Sequence, residues 1–105
     1  MQKLVLASLL TASLCSFSAF AEEMTGYISD AHCGAAHNTV SAKNTACIEK
    51  CTKGGSDPVL VSEGKVIKFD ADSKDKAKSM LGQNVKIDGT MDGDMLKINS
   101  IDKAQ

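Results

Sequence analysis

The N-terminal 21 residues are the feature that most constrains what this chain can fold into. Lys3 supplies a short positive region, and an apolar stretch from Leu4 to Phe20 is broken only by the small hydroxyl residues serine and threonine. Ala19-Phe20-Ala21 matches the small-x-small pattern of a secretory cleavage site. The uninterrupted apolar run is too short for a bilayer span, and Glu22-Glu23 follow at once. We therefore predict a signal peptide over residues 1–21, cleaved near Ala21, and a periplasmic or secreted mature protein.

The mature chain, residues 22–105, is predicted to be a single small domain. A chain of this size has a core that supplies little stability by itself. The full sequence contains 12 lysines and no arginine against 13 acidic residues, for a formal net charge of −1. Arginine is the preferred side chain for phosphates and base edges, so its absence disfavours nucleic-acid binding. No basic amphipathic stretch is present for a membrane surface, and we expect no membrane insertion of the mature chain.

The pattern of apolar residues and turns predicts five strands and two helices. Strands are expected at 24–29, 59–61, 66–69, 85–89 and 95–101, with a helix through 46–51 capped by Asn44 or Thr45 and a helix from Asp72 or Ser73 to Gly82. This order is that of an OB-type barrel, and an open five-stranded sheet with a helix on one face is the alternative. We expect a mainly β, five-stranded OB-like barrel. Its cysteine-bearing helix lies between strands 1 and 2, within an insertion at about 30–55, and its short helix lies between strands 3 and 4.

Two parts of the mature chain carry a resemblance to a known group. The first is Gly26-Tyr27-Ile28-Ser29-Asp30-Ala31-His32-Cys33-Gly34, followed by Cys47-Ile48-Glu49-Lys50-Cys51 and Gly54-Gly55; the second comprises residues 82–90 and 96–101. Both are similar to segments of small exported bacterial proteins of uncharacterised function, which share a Gly-Tyr-x-x-Asp-x-x-Cys-Gly segment and a C-x3-C pair. The resemblance implies an OB-like domain and no defined activity.

Three cysteines remain after removal of the predicted signal peptide: Cys33, Cys47 and Cys51. In an oxidising compartment, an odd number implies a free thiol, an intermolecular bond, or a site that uses all three. Cys47 and Cys51 are four residues apart on the predicted helix and share one face. Together with Cys33 and His37, this pair forms the pattern C-x3-H-x9-C-x3-C. Three thiolates and an imidazole are a chemically sensible tetrahedral set for zinc, and soft sulfur also suits Cu(I). His32 is a further candidate imidazole beside Cys33.

A structural disulfide is the main alternative to a metal site. A bond from Cys33 to Cys47 or Cys51 would pin the connection to the helix and contribute about 3 kcal/mol in the chain-entropy model. A Cys47–Cys51 bond within one helical turn would be strained. A thiol redox protein using Cys47 and Cys51 is a third interpretation, which the lack of a C-x-x-C motif disfavours.

The sequence predicts a binding protein rather than an enzyme. It contains no nucleophile elbow, phosphate loop or paired carboxylates, and Asp30 is expected to be a turn or cap residue. We predict a periplasmic protein that binds zinc or copper, or a disulfide-stapled module without metal that docks on an envelope protein. OB folds also bind small ligands through the loop between strands 4 and 5, here Thr90 to Asp94 with Thr90, Asp92 and Asp94 as candidates.

Overall fold

The computed structural model describes residues 21–104, so the predicted signal peptide lies outside the described residues except for Ala21. The elements are β1 (Ala21–Asp30), a 3-10 helix (Gly34–Ala36), α1 (Ala42–Lys53), β2 (Pro58–Ser62), β3 (Lys65–Phe69), α2 (Ala71–Lys78), β4 (Asn84–Asp92) and β5 (Met95–Lys103). Within this part of the chain, no helix is long and apolar enough to cross a membrane. The predicted order of five strands and two helices is confirmed.

The five strands form one closed sheet in the order β1-β2-β3-β5-β4. β1 pairs antiparallel with both β2 and β4, and the hairpins β2–β3 and β4–β5 are also antiparallel. A short parallel pairing of β3 with β5, at Lys68↔Met95 and Phe69↔Leu96, completes the closure. This parallel contact covers two residues of each strand, so the sheet closes at a short contact.

The interior of the closed sheet holds the main apolar core. Residues on β4 alternate, with Val85 and Ile87 buried and Lys86 and Asp88 exposed, because successive side chains of a strand point to opposite faces. The fully buried cluster comprises Ile28, Leu60, Phe69, Ala77, Val85, Ile87, Leu96 and Ile98. One helical residue, Ala77 of α2, belongs to this cluster, so α2 packs against the sheet.

Both helices begin earlier than the sequence pattern predicted. Ser41 has extended backbone angles, and its hydroxyl accepts the N–H of Asn44 at 3.0 Å, so α1 starts at Ala42 rather than after Asn44 or Thr45. Asp70 likewise caps α2 by accepting the N–H of Ser73 at 2.9 Å. In each case an earlier side-chain acceptor satisfies one of the free backbone N–H groups of the first turn, and this moves the start of the helix.

The connection between β4 and β5 is shorter than the predicted ligand loop. Thr90 and Asp92 lie within β4, which pairs with β5 as far as Asp92↔Met95. Only Gly93 and Asp94 join the two strands, and Gly93 has a φ of 67°. A two-residue hairpin turn needs such a positive φ, and glycine adopts it without strain. Of the three candidate loop residues, only Asp94 therefore lies in the connection.

Candidate metal centre

Helix α1, which carries Cys47 and Cys51, is anchored to the outside of the sheet by one buried side chain. Ile48 is fully buried and packs in a second apolar cluster with Tyr27 of β1 and Val61 of β2. Because Ile48 directly follows Cys47 and precedes Cys51 by three residues, its burial sets the rotation of the helix about its axis. Both cysteines are consequently half-buried beside the sheet rather than fully exposed.

A close backbone approach gives α1 a second anchor. Gly82, after α2, has a φ of 77°, and a Cβ added to it would lie 2.9 Å from the Cα of Thr45 in α1. Only glycine combines this conformation with this proximity. The segment that follows α2 therefore lies directly against the first turns of the cysteine-bearing helix.

Cys33 is positioned by Asp30, the last residue of β1. The Asp30 side chain is fully buried, and its Oδ2 accepts hydrogen bonds from the backbone N–H of His32 at 3.0 Å, the N–H of Cys33 at 3.2 Å and the Ser56 hydroxyl at 3.2 Å. Asp30 is thus a turn residue, as predicted. Its carboxylate connects the start of the cysteine-bearing connection to the end of that connection at Ser56.

The Sγ atoms of Cys33, Cys47 and Cys51 all lie within 4.8 Å of one another. All three thiols are free and half-buried, and no disulfide joins them. Zinc–sulfur bonds of about 2.3 Å place neighbouring sulfurs about 3.8 to 4.0 Å apart in tetrahedral or trigonal sites. A closing movement of about 1 Å or less would therefore bring these sulfurs to metal-binding distances. The three cysteines can hold a metal ion.

The two candidate histidines lie outside this group of ligand atoms among the described residues. His32 is exposed, and its backbone N–H, rather than its ring, participates in the Asp30 network. His37 is half-buried and follows the 3-10 helix with extended backbone angles, φ −111° and ψ 106°. The four-residue spacing of Cys33 and His37 therefore does not place them on one face of a helix. The structure brings together three of the four residues in the predicted Cys3His set.

The local electrostatics keep at least two of the thiols protonated near neutral pH. Burial raises the pKa of the Cys33 thiol to about 11, with further increases from the Asp30 carboxylate and the neighbouring thiols of Cys51 and Cys47. Burial and then the charge of Asp30 also raise the pKa of Cys51. Reactive cysteines of redox enzymes instead have lowered pKa values. These thiols are poor free nucleophiles, and a metal ion would bind them by displacing their protons.

Comparison of the chain with protein-family models, with curated proteins and with solved structures finds no match in any of the three. The resemblance to small exported bacterial proteins stays a prediction. The geometry of the cysteine cluster is therefore the basis for a functional assignment.

Proposed function

We propose that this chain is a non-enzymatic periplasmic binding protein that holds a soft metal ion, zinc or copper, through Cys33, Cys47 and Cys51. The observation that carries the proposal is the mutual approach of the three sulfurs within 4.8 Å. Thiolates are the preferred protein ligands of both metals. The signal-like N-terminal segment supports export of the protein to the compartment in which it would bind the metal.

The proposal includes an OB-like classification of the closed sheet. Its strand order, its parallel contact between β3 and β5, and the position of α2 between β3 and β4 are all those of an OB-type barrel. In this arrangement the long connection between β1 and β2 is a usual binding region. That connection carries all three cysteines of the cluster.

The arrangement of the sulfurs favours a metal over the other two interpretations. They form one group of three rather than one close pair with a distant third, and a metal would use all of them. The raised pKa values of Cys33 and Cys51 disfavour thiol–disulfide exchange, which requires a thiolate.

A disulfide-stapled interaction module is the second candidate, because Cys33 lies close to both helical cysteines. A bond to either one would tie the connection to α1 and contribute about 3 kcal/mol. It would leave a single free thiol and no metal site, and the binding partner would then be another envelope protein.

Native mass spectrometry with thiol counting tests the proposal. Protein purified without chelator is expected to carry one metal ion per chain, and denaturation with chelator should release three alkylatable thiols. The Cys47→Ser variant should remain folded and lose the ion, whereas the Met95→Ser variant, which removes an exposed sulfur outside the cluster, should retain it. One alkylatable thiol and no metal would overturn the proposal in favour of the disulfide.

A further inference from the structure

The number of ligands at the cysteine cluster bears on which metal it takes. Among the described residues, no fourth His, Cys, Asp or Glu ligand atom joins the three sulfurs within 4.8 Å. The carboxylate of Asp30 lies beside Cys33: its Oδ2 accepts hydrogen bonds from the N–H groups of His32 and Cys33 and from the Ser56 hydroxyl. Its Oδ1 is buried and has no hydrogen-bond partner among the described residues, but no oxygen of Asp30 belongs to the group of mutually close ligand atoms. In the part of the chain that the structure describes, the group of mutually close ligand atoms therefore consists of three soft sulfur donors.

Three sulfur donors match the coordination preferences of Cu(I) better than those of zinc. Zinc held only by protein side chains is almost always four-coordinate and tetrahedral. Thiolate ligands select Cu(I) because sulfur and Cu(I) are both soft. A trigonal site with three sulfurs satisfies Cu(I) without a further donor, whereas zinc would need a water or a ligand from elsewhere.

The contacts that build the site do not depend on a metal. Cys33 is held by the Asp30 carboxylate, and α1 is held by the burial of Ile48 and by the approach of Gly82 to Thr45. The main apolar core contains none of these residues. Zinc fingers differ, because metal binding there supplies the free energy of folding. Here contacts within the protein hold the three cysteines near one another, so metal binding need not supply the free energy of folding.

The cluster is also accessible to an ion that enters and leaves. Each of the three cysteines is half-buried rather than fully buried, so part of each residue contacts solvent. The next residue in the chain after Cys33, Gly34, starts a 3-10 helix without buried residues. A three-coordinate ion on partly exposed ligands allows a second protein or a small thiol to approach, supply a ligand and take the ion.

We infer that Cys33, Cys47 and Cys51 bind one Cu(I) ion in trigonal three-sulfur coordination as exchangeable cargo rather than as a structural metal. This inference rests on the proposed metal-binding function and specifies the ion and its role. On binding, each thiol loses its proton to the solvent and forms one sulfur–copper bond, and copper keeps its oxidation state.

An anaerobic titration of the reduced, metal-free protein with Cu(I), in competition with bicinchoninate, tests the inference. We expect one Cu(I) per chain and a single shell of three sulfurs by X-ray absorption spectroscopy. Circular dichroism should show a cooperative melting transition with and without copper, because the fold is already formed. Reduced glutathione should exchange with the site and withdraw copper without unfolding the protein.

Three variants separate the trigonal site from a four-coordinate site. Cys47→Ser should weaken Cu(I) binding by more than about 100-fold, since loss of a ligand exceeds the cost of losing an outer hydrogen-bond partner. His37→Ala should change the affinity by less than about twofold, well below the effect of losing even an outer partner. Met95→Ser, the matched loss of a sulfur elsewhere, should have no effect.

The outcomes distinguish this inference from the proposed function. A loss of about tenfold or more in Cu(I) or Co(II) affinity in His37→Ala would reveal a fourth protein ligand. That result, or a metal-free protein without a cooperative transition, overturns the Cu(I) cargo inference and leaves metal binding in place. If three reduced thiols bind neither Cu(I) nor the zinc probe Co(II), the proposed function itself is wrong.

Discussion

The closed sheet and the cysteine-bearing connection, residues 31–57, are held by different kinds of interaction. The sheet encloses eight fully buried residues in one apolar cluster. The connection contains one buried residue, Ile48, and is otherwise fixed by a few specific contacts around Asp30, Ser41 and Gly82. Stability is therefore concentrated in the sheet, whereas the three candidate metal ligands lie in the connection.

The largest expected loss of stability comes from a substitution in the core of the sheet. Ile87→Ala, in the main core of β4, should lower the free energy of unfolding by about 2 to 5 kcal/mol because it leaves a cavity. Chemical denaturation of the metal-free protein measures this loss. Val66→Ala, at an exposed position of β3, is the control and should cost less than about 0.5 kcal/mol. Equal losses in the two variants would show that the sheet is not the main source of stability.

The contact of the connection with Gly82, which lies between α2 and β4, should give the next largest loss of stability. Gly82→Ala is expected to cost about 1 to 3 kcal/mol, because alanine is strained at this positive φ and its Cβ would displace Thr45. The displaced α1 should also bind metal more weakly. Gly93→Ala, with a similar φ but no atom within 4 Å of the added Cβ, isolates the conformational strain. An identical metal affinity in both variants would argue that Gly82 does not position the site.

A third test addresses the connection through Asp30. Asp30→Asn removes the negative charge beside Cys33, so the pKa of the Cys33 thiol should fall from about 11. It should stay above the ordinary value of a thiol, because burial is the larger cause of the increase. Peptide-resolved alkylation rates against pH measure the change. Asp75→Asn, at an exposed position of α2, should leave the pKa of Cys33 unchanged, and an equal shift there would contradict the role of Asp30.

The same raised thiol pKa has a consequence for stability. The folded protein binds the Cys33 proton more tightly than the unfolded chain does, so folding is favoured while the thiol stays protonated. The metal-free protein should therefore lose stability as the pH rises from about 9 towards 11. Denaturation midpoints across this range test the sign, and in Asp30→Asn the decline should be shallower.

The smallest effect is expected at the salt bridge between the connection and α2. Lys74 Nζ lies 3.2 Å from Asp57 Oδ2, and the Asp57 side chain is largely exposed. Solvent screening limits such pairs, so Lys74→Ala should cost less than about 1 kcal/mol. A larger loss in chemical denaturation would mean that charge pairs contribute more to holding the connection than its buried contacts do.

The arrangement of the strands was more accessible to sequence analysis than the ends of the helices. Alternating residues such as Val85 and Ile87 reveal a strand because burial follows a period of two. The caps at Ser41 and Asp70 were missed because several neighbouring polar residues can accept the same backbone N–H groups. Which of these residues caps the helix depends on backbone angles that composition does not specify.

The candidate site was predicted in part. The helical spacing of Cys47 and Cys51 indicated a shared face, and the expected approach of Cys33 is confirmed. The exclusion of His37 from the group depends on the 3-10 helix that ends just before it. Asp30 was expected to form a turn, but its full burial results from the way the connection returns through Ser56. A long-range contact of this kind leaves no local signal.

The separate anchorage of Cys33 and α1 has a mechanical consequence. Cys33 is fixed at the end of a strand, whereas Cys47 and Cys51 move with a helix that rests on Ile48. An occupant bonded to all three sulfurs acts as a clasp between these supports and shortens the free span between them. Residues 34–41 should then resist proteases in the occupied protein and become cleavable when the clasp is withdrawn.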